Sequence, residues 1–349
     1  MIKNVEYFLN FKEFIEAKQK ANENFVLLVA EETDVDFAKL QNFASELHAA
    51  IFPQVIFQEK HYKEGIVVLT LSENAEVKLI EDIKNPQFSC MDYESIIVFF
   101  DALSGDIDNF LEELFVCSDV TTSVLGGGAG KISLVQEAVI FDNHKMYENA
   151  AIIIGTSVRS GIGVKHGWQE MSETFVVTSA DGNVVKEINY QNALDFYISR
   201  LDTQETITQE NFFEIAKSHP LGVQTLSQEI VVRDPLSFND DGIFMAASIS
   251  ENIVVSILKG DSASLLQAAS EATQEAIYRI RHIPKNLLVV DCISRALFLE
   301  EDFVKELKSI HSFAPHANMF GALTLGEVAN NSNKYIEVFN KTCVIGAIE

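Results

Sequence analysis

Apolar residues fall along this chain in short unbroken runs, each followed by a stretch in which they recur every three or four positions. Residues 25–30 (FVLLVA), 65–71 (GIVVLTL) and 95–100 (SIIVFF) have the length and composition of buried strands. Phe37, Leu40, Phe43, Ala44 and Leu47 then predict a helix after the first run, and Ile107, Phe110, Leu111 and Leu114 predict one after the third. The glycines of 125–130 (LGGGAG) stop this periodicity and predict a tight turn using positive backbone torsions. Runs 137–141 (EAVIF) and 150–156 flank the polar residues 142–144 and read as a hairpin. So do 175–179 and 184–188 around Asp181-Gly182-Asn183, because Asp-Gly favours the tight hairpin turn. Helical spacing returns over 192–201, and 239–242 turns the chain into a further pair of strands.

The later chain repeats this order. Residues 242–248, 253–258, a long helix over 264–281 and 286–291 follow the sequence of elements from 65 to 101. Residues 287–307 resemble 96–114 as strand then helix, and each leads to a glycine-rich stretch, at 320–327 and 125–130, before ending in strands. The expected fold is therefore α/β, with mixed sheets flanked by helices and two related halves, 1–160 and 161–349, made by internal duplication. Ordinary alternation of strand and helix stays open as the other source of the same order. In a duplicated fold the two glycine-rich turns sit in equivalent places and face an interface, where small-ligand clefts form.

Charge narrows the function. Against 26 basic residues stand 51 acidic ones, a formal charge of -25 that repels phosphate backbones and anionic membranes, so neither nucleic acid nor membrane is an expected partner. Residues 1–11 carry Glu6 and no small-residue cleavage site, and no apolar run approaches the roughly 20 residues of a bilayer span. Cys90, Cys117, Cys292 and Cys343 are far apart with no Cys-x-x-Cys pair, the usage of a reducing compartment with buried free thiols; a cytoplasmic protein is expected.

Catalytic and cofactor motifs fail on inspection. In LGGGAGKIS (125–133) a phosphate loop would need Gly at Leu125 and a hydroxyl at Ile132, and the last glycine of a dinucleotide fingerprint would fall on Lys131. No His-Glu-x-x-His, no histidine–cysteine metal spacing and no Gly-x-Ser-x-Gly elbow occurs, so no metal and no cofactor are expected.

Other motifs do match a family. The 125–130 glycines with VIFDN (139–143), His166-Gly167-Trp168, Val176-Val177-Thr178, Asp181-Gly182 and the helix from Asn192 resemble the FIST domain. IVVRDP (230–235), Cys292-Ile293-Ser294-Arg295, Leu325-Gly326-Glu327 and Phe339-Asn340-Lys341-Thr342 follow in the order of its C-terminal half. Lys131 departs from the pattern, which commonly carries an acidic residue there. The resemblance implies a sensory module that binds a small molecule, such as an amino acid, and is found alone or joined to output domains. Standing alone, it would signal in trans to a partner such as a kinase or chemoreceptor.

The candidate ligand residues come from these motifs. Arg295 follows a strand at the edge where α/β sheets open their crevices, and its guanidinium suits a carboxylate; pairing with Asp291 is the structural alternative. Glu327 is placed to accept an ammonium or to cap its own turn. Asn340 and Thr342, in an expected strand, share a face, and Arg295, Glu327 and Asn340 are expected to line one pocket. Arg233 offers a second cation, Cys292 a thiol activated by Arg295 if exposed, His166 and Trp168 an amphipathic wall, and Gly127 and Gly128 a close backbone approach. An enzyme of hydrolase or lyase type using Glu327 and Cys292 remains an alternative to a sensor, as does a protein-interaction scaffold.

Overall fold

The computed structural model describes residues 1–349 except 89–91, 202–204, 226–228, 281 and 331–334; Cys90 thus lies outside the described residues. The chain begins with β1 (Ile2–Phe8), α1 (Phe11–Lys18), β2 (Phe25–Ala30), α2 (Phe37–Leu40), β3 (Leu47–Phe52), β4 (Gln54–Phe57), β5 (Lys60–Tyr62) and β6 (Ile66–Leu71). Next come β7 (Ala75–Ile80), β8 (Ser95–Asp101), α3 (Ile107–Cys117), β9 (Ser123–Ala129), β10 (Ile140–Asp142), β11 (Met146–Tyr147) and β12 (Ala151–Thr156). After β13 (Ser160–Lys165) a separate sheet is inserted: β14 (Gln169–Glu170), β15 (Phe175–Asp181), β16 (Val184–Ile188), β17 (Gln191–Asn192), α4 (Ala193–Ile198), α5 (Phe212–Ala216), β18 (Leu221–Gln224), β19 (Ile230–Arg233), β20 (Pro235–Asn239), β21 (Gly242–Met245) and β22 (Val254–Lys259). The main body resumes with α6 (Ser262–Ile280), β23 (Asn286–Cys292), α7 (Ile293–Leu299), α8 (Phe303–Ser312), β24 (Asn318–Thr324), β25 (Glu327–Ala329), β26 (Glu337–Phe339) and β27 (Cys343–Ile348).

Three six-stranded sheets form the body, in the orders β1-β6-β2-β3-β10-β11, β7-β12-β8-β9-β25-β26 and β13-β27-β23-β24-β4-β5. All three follow one plan. A parallel pair (β2 and β3, β8 and β9, β23 and β24) is flanked by antiparallel partners, and a short hairpin closes one edge. The hairpin always comes from another repeat: β4–β5 leaves the first sheet for the third, β10–β11 leaves the second for the first, and β25–β26 leaves the third for the second. The kinship of 96–130 with 287–327 is thus real in strand order and extends to a third copy at the N-terminus.

Strands whose residues are apolar on both faces must be covered on both. Ile97, Phe99, Leu288, Val290, Leu28 and Phe52 meet in one central core shared by the three sheets. On the outer faces Ile96, Val98 and Phe100 pack under Phe110 and Leu114 of α3, and Leu287 and Val289 pack under α6 and α8. The inserted β14–β22 sheet has its own core around Tyr197, Phe196 and Phe212.

Four sequence expectations change. The 125–130 glycines lie mostly in strand β9, not in a turn, and they are small because neighbours are close: a Cβ on Gly126 would stand 1.8 Å from Val98 O, and one on Gly127 would stand 2.7 Å from Thr324 Cγ2. Runs 137–141 and 150–156 do not pair with each other; β10 joins β3 and β11, while β12 runs between β7 and β8. The helix over 37–47 stops at Leu40, because Leu47 is already in a strand. The elements of 242–258 belong to the inserted sheet, so the match to 65–101 does not extend that far.

Candidate functional site

The polar heart of the molecule gathers where β23 ends. Asp291 and Cys292 close that strand, Arg295 lies in the first turn of α7, and Glu306 faces them from α8, with Asp291, Arg295 and Glu306 all at 0 % exposure. Arg295 Nη2 is 2.7 Å from Glu306 Oε2 and Nε is 3.5 Å from Asp291 Oδ1. The guanidinium also donates to the carbonyls of His166 (2.5 Å) and Leu265 (2.6 Å). Burial would lower the Arg295 pKa, but Glu306 and Asp291 outweigh it and hold the charge in place. Burial and the Glu306 carboxylate push Asp291 well above its ordinary range. Asp291, Glu306 and Cys343 bring donor atoms within 4.8 Å of one another, and Arg295 supplies the positive charge among the two carboxylates.

Beside this lies a second knot. Glu327 opens β25 and accepts from the Thr324 hydroxyl (2.9 Å) and the Thr342 amide (3.3 Å). Its pKa rises to about 8, chiefly through burial, so at neutral pH it is mostly a neutral acid. Cys292 is buried next to it, and burial together with the Glu327 charge pushes its thiol up; an activated thiolate is not what this environment favours. Residues 340–342 form the bend between β26 and β27 and not a strand, which turns Asn340 away from the arrangement expected of alternating faces. The Asn340 amide nitrogen donates to Phe339 O, and its oxygen makes no hydrogen bond.

The third cluster joins body and insert. Lys341, fully buried with φ near +50°, donates to Ser294 Oγ at 2.6 Å and pairs with Asp234 at 3.2 Å. Asp234 comes from the junction of β19 and β20 in the inserted sheet. Its carboxylate faces Lys341 and Ser294, and burial raises its pKa against the pull of both. Trp168 Nε1 donates to Lys341 O (3.2 Å), and its ring lies 5.4 Å from the ammonium. Arg233, half-buried, donates to Val338 O and Ser248 O.

Immediately outside these clusters is a cavity of about 370 Å³, between the end of β13, the N-terminal half of α6 and the start of β19. Its walls include Val164, Trp168, Ile230 and Phe339, with Lys165, His166, Gln267, Glu229, Glu271 and Thr342 as polar members. Gly167 lets the chain pass against α6: a Cβ there would be 2.7 Å from Ser264 O, and its φ is +80°. Burial, and then the nearby Arg295 charge, lower the His166 pKa to about 4, so the ring is neutral and its Nδ1 accepts the Trp168 amide at 3.0 Å.

Of the residues expected to bind ligand, His166, Trp168 and Thr342 line this cavity. Arg295, Glu327 and Asn340 are not among the residues that line it. The reason for Arg295 is that its donors face carboxylates and carbonyls of its own chain. Arg233 and Cys292 also lie off the cavity, while Gly127 and Gly128 pack in β9 against the 324–326 segment.

The model of the FIST N domain matches residues 25–191, and that of the FIST C domain matches residues 193–330. The chain belongs to the FIST family. FIST domains are generally sensory domains of signalling proteins. No curated protein matches the chain. In this FIST protein the junction of the two matches falls inside the inserted sheet, so 164–169 on the cavity wall belong to one match and 229–231 and 264–271 to the other. The fold interleaves the two FIST halves around the cavity.

Sequence reasoning passed over Asp234, Ser294 and Lys341, although each stood inside a quoted motif: IVVRDP, CISR and FNKT. A charged residue in an otherwise apolar or small-residue motif was the available signal. Glu306, Glu229 and Glu271 gave none, since acidic residues are common throughout this chain.

Proposed function

We propose that this FIST protein is a cytoplasmic sensory module that takes a small ligand in the cavity between α6 and β19 and passes its occupancy to a partner protein in trans. The observation that carries the reading is the position of the cavity. It lies where the inserted sheet meets the body, and its Trp168 and Thr342 walls touch the Lys341 segment that holds Asp234 of the insert. A ligand seated there bears on both parts at once, which is what a sensor requires. The same cavity argues against the hydrolase or lyase alternative, because Glu327 and Cys292 are buried away from it.

No helix among the described residues is long and apolar enough to cross a membrane, and Cys292 and Cys343 are buried free thiols, which supports the placement in a reducing compartment. A thermal-shift screen of amino acids and small organic acids or amines tests the reading. A ligand at one hundred times its dissociation constant adds about 2.7 kcal/mol of stability. Gln267→Trp, which fills the cavity mouth from an exposed position, abolishes that gain; a gain that survives it would place the ligand elsewhere.

A further inference from the structure

A second cavity, of about 300 Å³, lies beside the exchanged β10–β11 hairpin and shares no lining residue with the one between α6 and β19. Its walls carry Glu46, His48, Asp142 and His144. The register of β3 and β10 sets His48 opposite Asp142, and Glu46 stands two residues ahead of His48. The turn after Asp142 is pinned to the start of β3 by the buried Asn143, whose Oδ1 accepts the Leu47 amide (2.9 Å) and whose Nδ2 donates to Ser45 O (3.0 Å). Asp142 Oδ1 accepts the His144 and Lys145 amides at 2.7 and 3.0 Å, and its Oδ2 accepts the Tyr147 hydroxyl at 2.7 Å. The backbone that carries these four side chains is thus fixed around the cavity.

His48 stands out among the histidines. His61, His166, His219 and His311 each have a ring nitrogen in a hydrogen bond, whereas the His48 ring, in a residue only 8 % exposed, has none among the described residues. A buried polar group ordinarily has a partner. His48 Nε2 faces Glu46 Oε1 at 3.9 Å, too far for a hydrogen bond. Burial lowers the His48 pKa against the pull of Glu46 and Asp142, so the ring is neutral and keeps a lone pair to donate. No hydrogen bond among the described residues engages the Glu46 carboxylate or the His144 ring, both exposed, so either can turn toward His48.

We propose that this cavity binds a divalent transition-metal ion of the zinc class, held by His48 Nε2, a Glu46 carboxylate oxygen and the His144 ring, with water in the fourth position. Ligands about 2.0–2.2 Å from a tetrahedral zinc stand roughly 3.4 Å from one another. The His48–Glu46 pair is already close to that separation. Two imidazoles and a carboxylate suit zinc, whereas magnesium and calcium take oxygen ligands. Burial works against ionisation of Asp142, but the Tyr147 hydroxyl and the two turn amides hold its pKa below the ordinary value, and its negative charge stands beside the ion. No spacing rule reveals this set, because its histidines lie on β3 and in the β10–β11 turn. The site is independent of the small-ligand reading above.

Calorimetry with zinc chloride on the untagged full chain tests it. Zinc binds stoichiometrically, and magnesium at the same concentration does not compete. His48→Gln and His144→Gln each lower zinc affinity by about tenfold or more, as even loss of a metal ligand's supporting partner does. His144→Gln, an exposed change, leaves the melting temperature of the metal-free protein unaltered and decides the matter where His48→Gln disturbs the fold. Glu46→Gln weakens zinc in the same direction, and His311→Gln, at the separate His311–Glu59 pair, leaves it unchanged. Absence of stoichiometric zinc, or parental affinity in His144→Gln, would overturn the proposal. Loss of binding in His311→Gln would move the ion to that pair, and displacement by magnesium would mark a carboxylate site; either result also overturns it.

Discussion

The second and third repeats share a scaffold and differ in what they bury at its end. In each, two seven-residue parallel strands pair residue for residue, Ser95–Asp101 with Ser123–Ala129 and Asn286–Cys292 with Asn318–Thr324. The fourth position of the second strand is glycine in both, Gly126 and Gly321, opposite Val98 and Val289. Beyond the strands the copies part. In the second repeat Asp101 accepts the backbone amide of Asn149 at 2.7 Å, just ahead of β12. In the first, Thr33 does the same for Gly65 before β6. In the third repeat the residue ahead of β27 is Lys341, its φ matching that of Asn149, and the bond to Ser294 comes from its ammonium. The side-chain-to-backbone tie that closes the other repeats is kept here through Cys292, and a buried charge is added to it. The third repeat is also the one interrupted by the inserted sheet, which supplies the counter-charge Asp234. Elaboration has gone where a second structural unit was available to complete the site.

The shared part of the comparison predicts the largest effects. A Cβ on Gly321 would sit 1.7 Å from Val289 O, and one on Gly126 would sit 1.8 Å from Val98 O. Gly321→Ala and Gly126→Ala should each cost on the order of 4 kcal/mol in urea unfolding, since backbone on the next strand must move. Tolerance of one and not the other would break the equivalence. The divergent part predicts asymmetry. Lys341→Met leaves Asp234 buried without its cation and should cost about 3–5 kcal/mol, with Asp234→Asn in the same chain recovering part of the loss. Asn149→Ala, which meets only the left-handed backbone penalty, should cost about 1 kcal/mol. Equal losses would mean that the ion pair adds nothing to the repeat.

A smaller effect comes from Glu327, whose folded pKa of about 8 lies above its ordinary value. Its contribution to stability is fully present below the unfolded pKa near 4.5 and is lost as pH rises through 8. Against Glu327→Gln, the parent should therefore weaken by on the order of a few kcal/mol across that range. His166 acts with the opposite sign, losing its contribution as pH falls from 6.5 toward 4, so the Glu327 effect is read most cleanly above pH 6.5. A flat difference between parent and variant would show Glu327 ionised in the fold.

Strands were the legible part of this fold, because runs such as FVLLVA and SIIVFF are too uniformly apolar to face water on either side. Their partners were not legible. Local pattern reads 137–141 and 150–156 as a hairpin, yet Ile140 pairs with Ala50 and Ile154 with Ile97, each in a different sheet. Glycine was ambiguous for a related reason: Gly126 is demanded by a backbone oxygen on a neighbouring strand, a contact that no turn rule contains. At the site, the place of Arg295 after a strand was foreseen, but its partner Glu306 sits in a helix where a polar face would ordinarily hold it outward. Lys165 and Glu271 come from β13 and α6, which pack on each other in the body, and the inserted sheet brings Glu229 to them.

The exchanged hairpins set a timetable for synthesis. Phe57 pairs with Phe320, about 260 residues later, so the third sheet cannot gain its outer strands until nearly the whole chain has emerged. At roughly 5–20 residues per second, β4 and β5 wait some tens of seconds for their place. During that interval the apolar QVIF of β4 has no sheet to join. The circular exchange that locks three repeats together in the finished protein thus makes the nascent chain a natural client for a chaperone that shields strand edges.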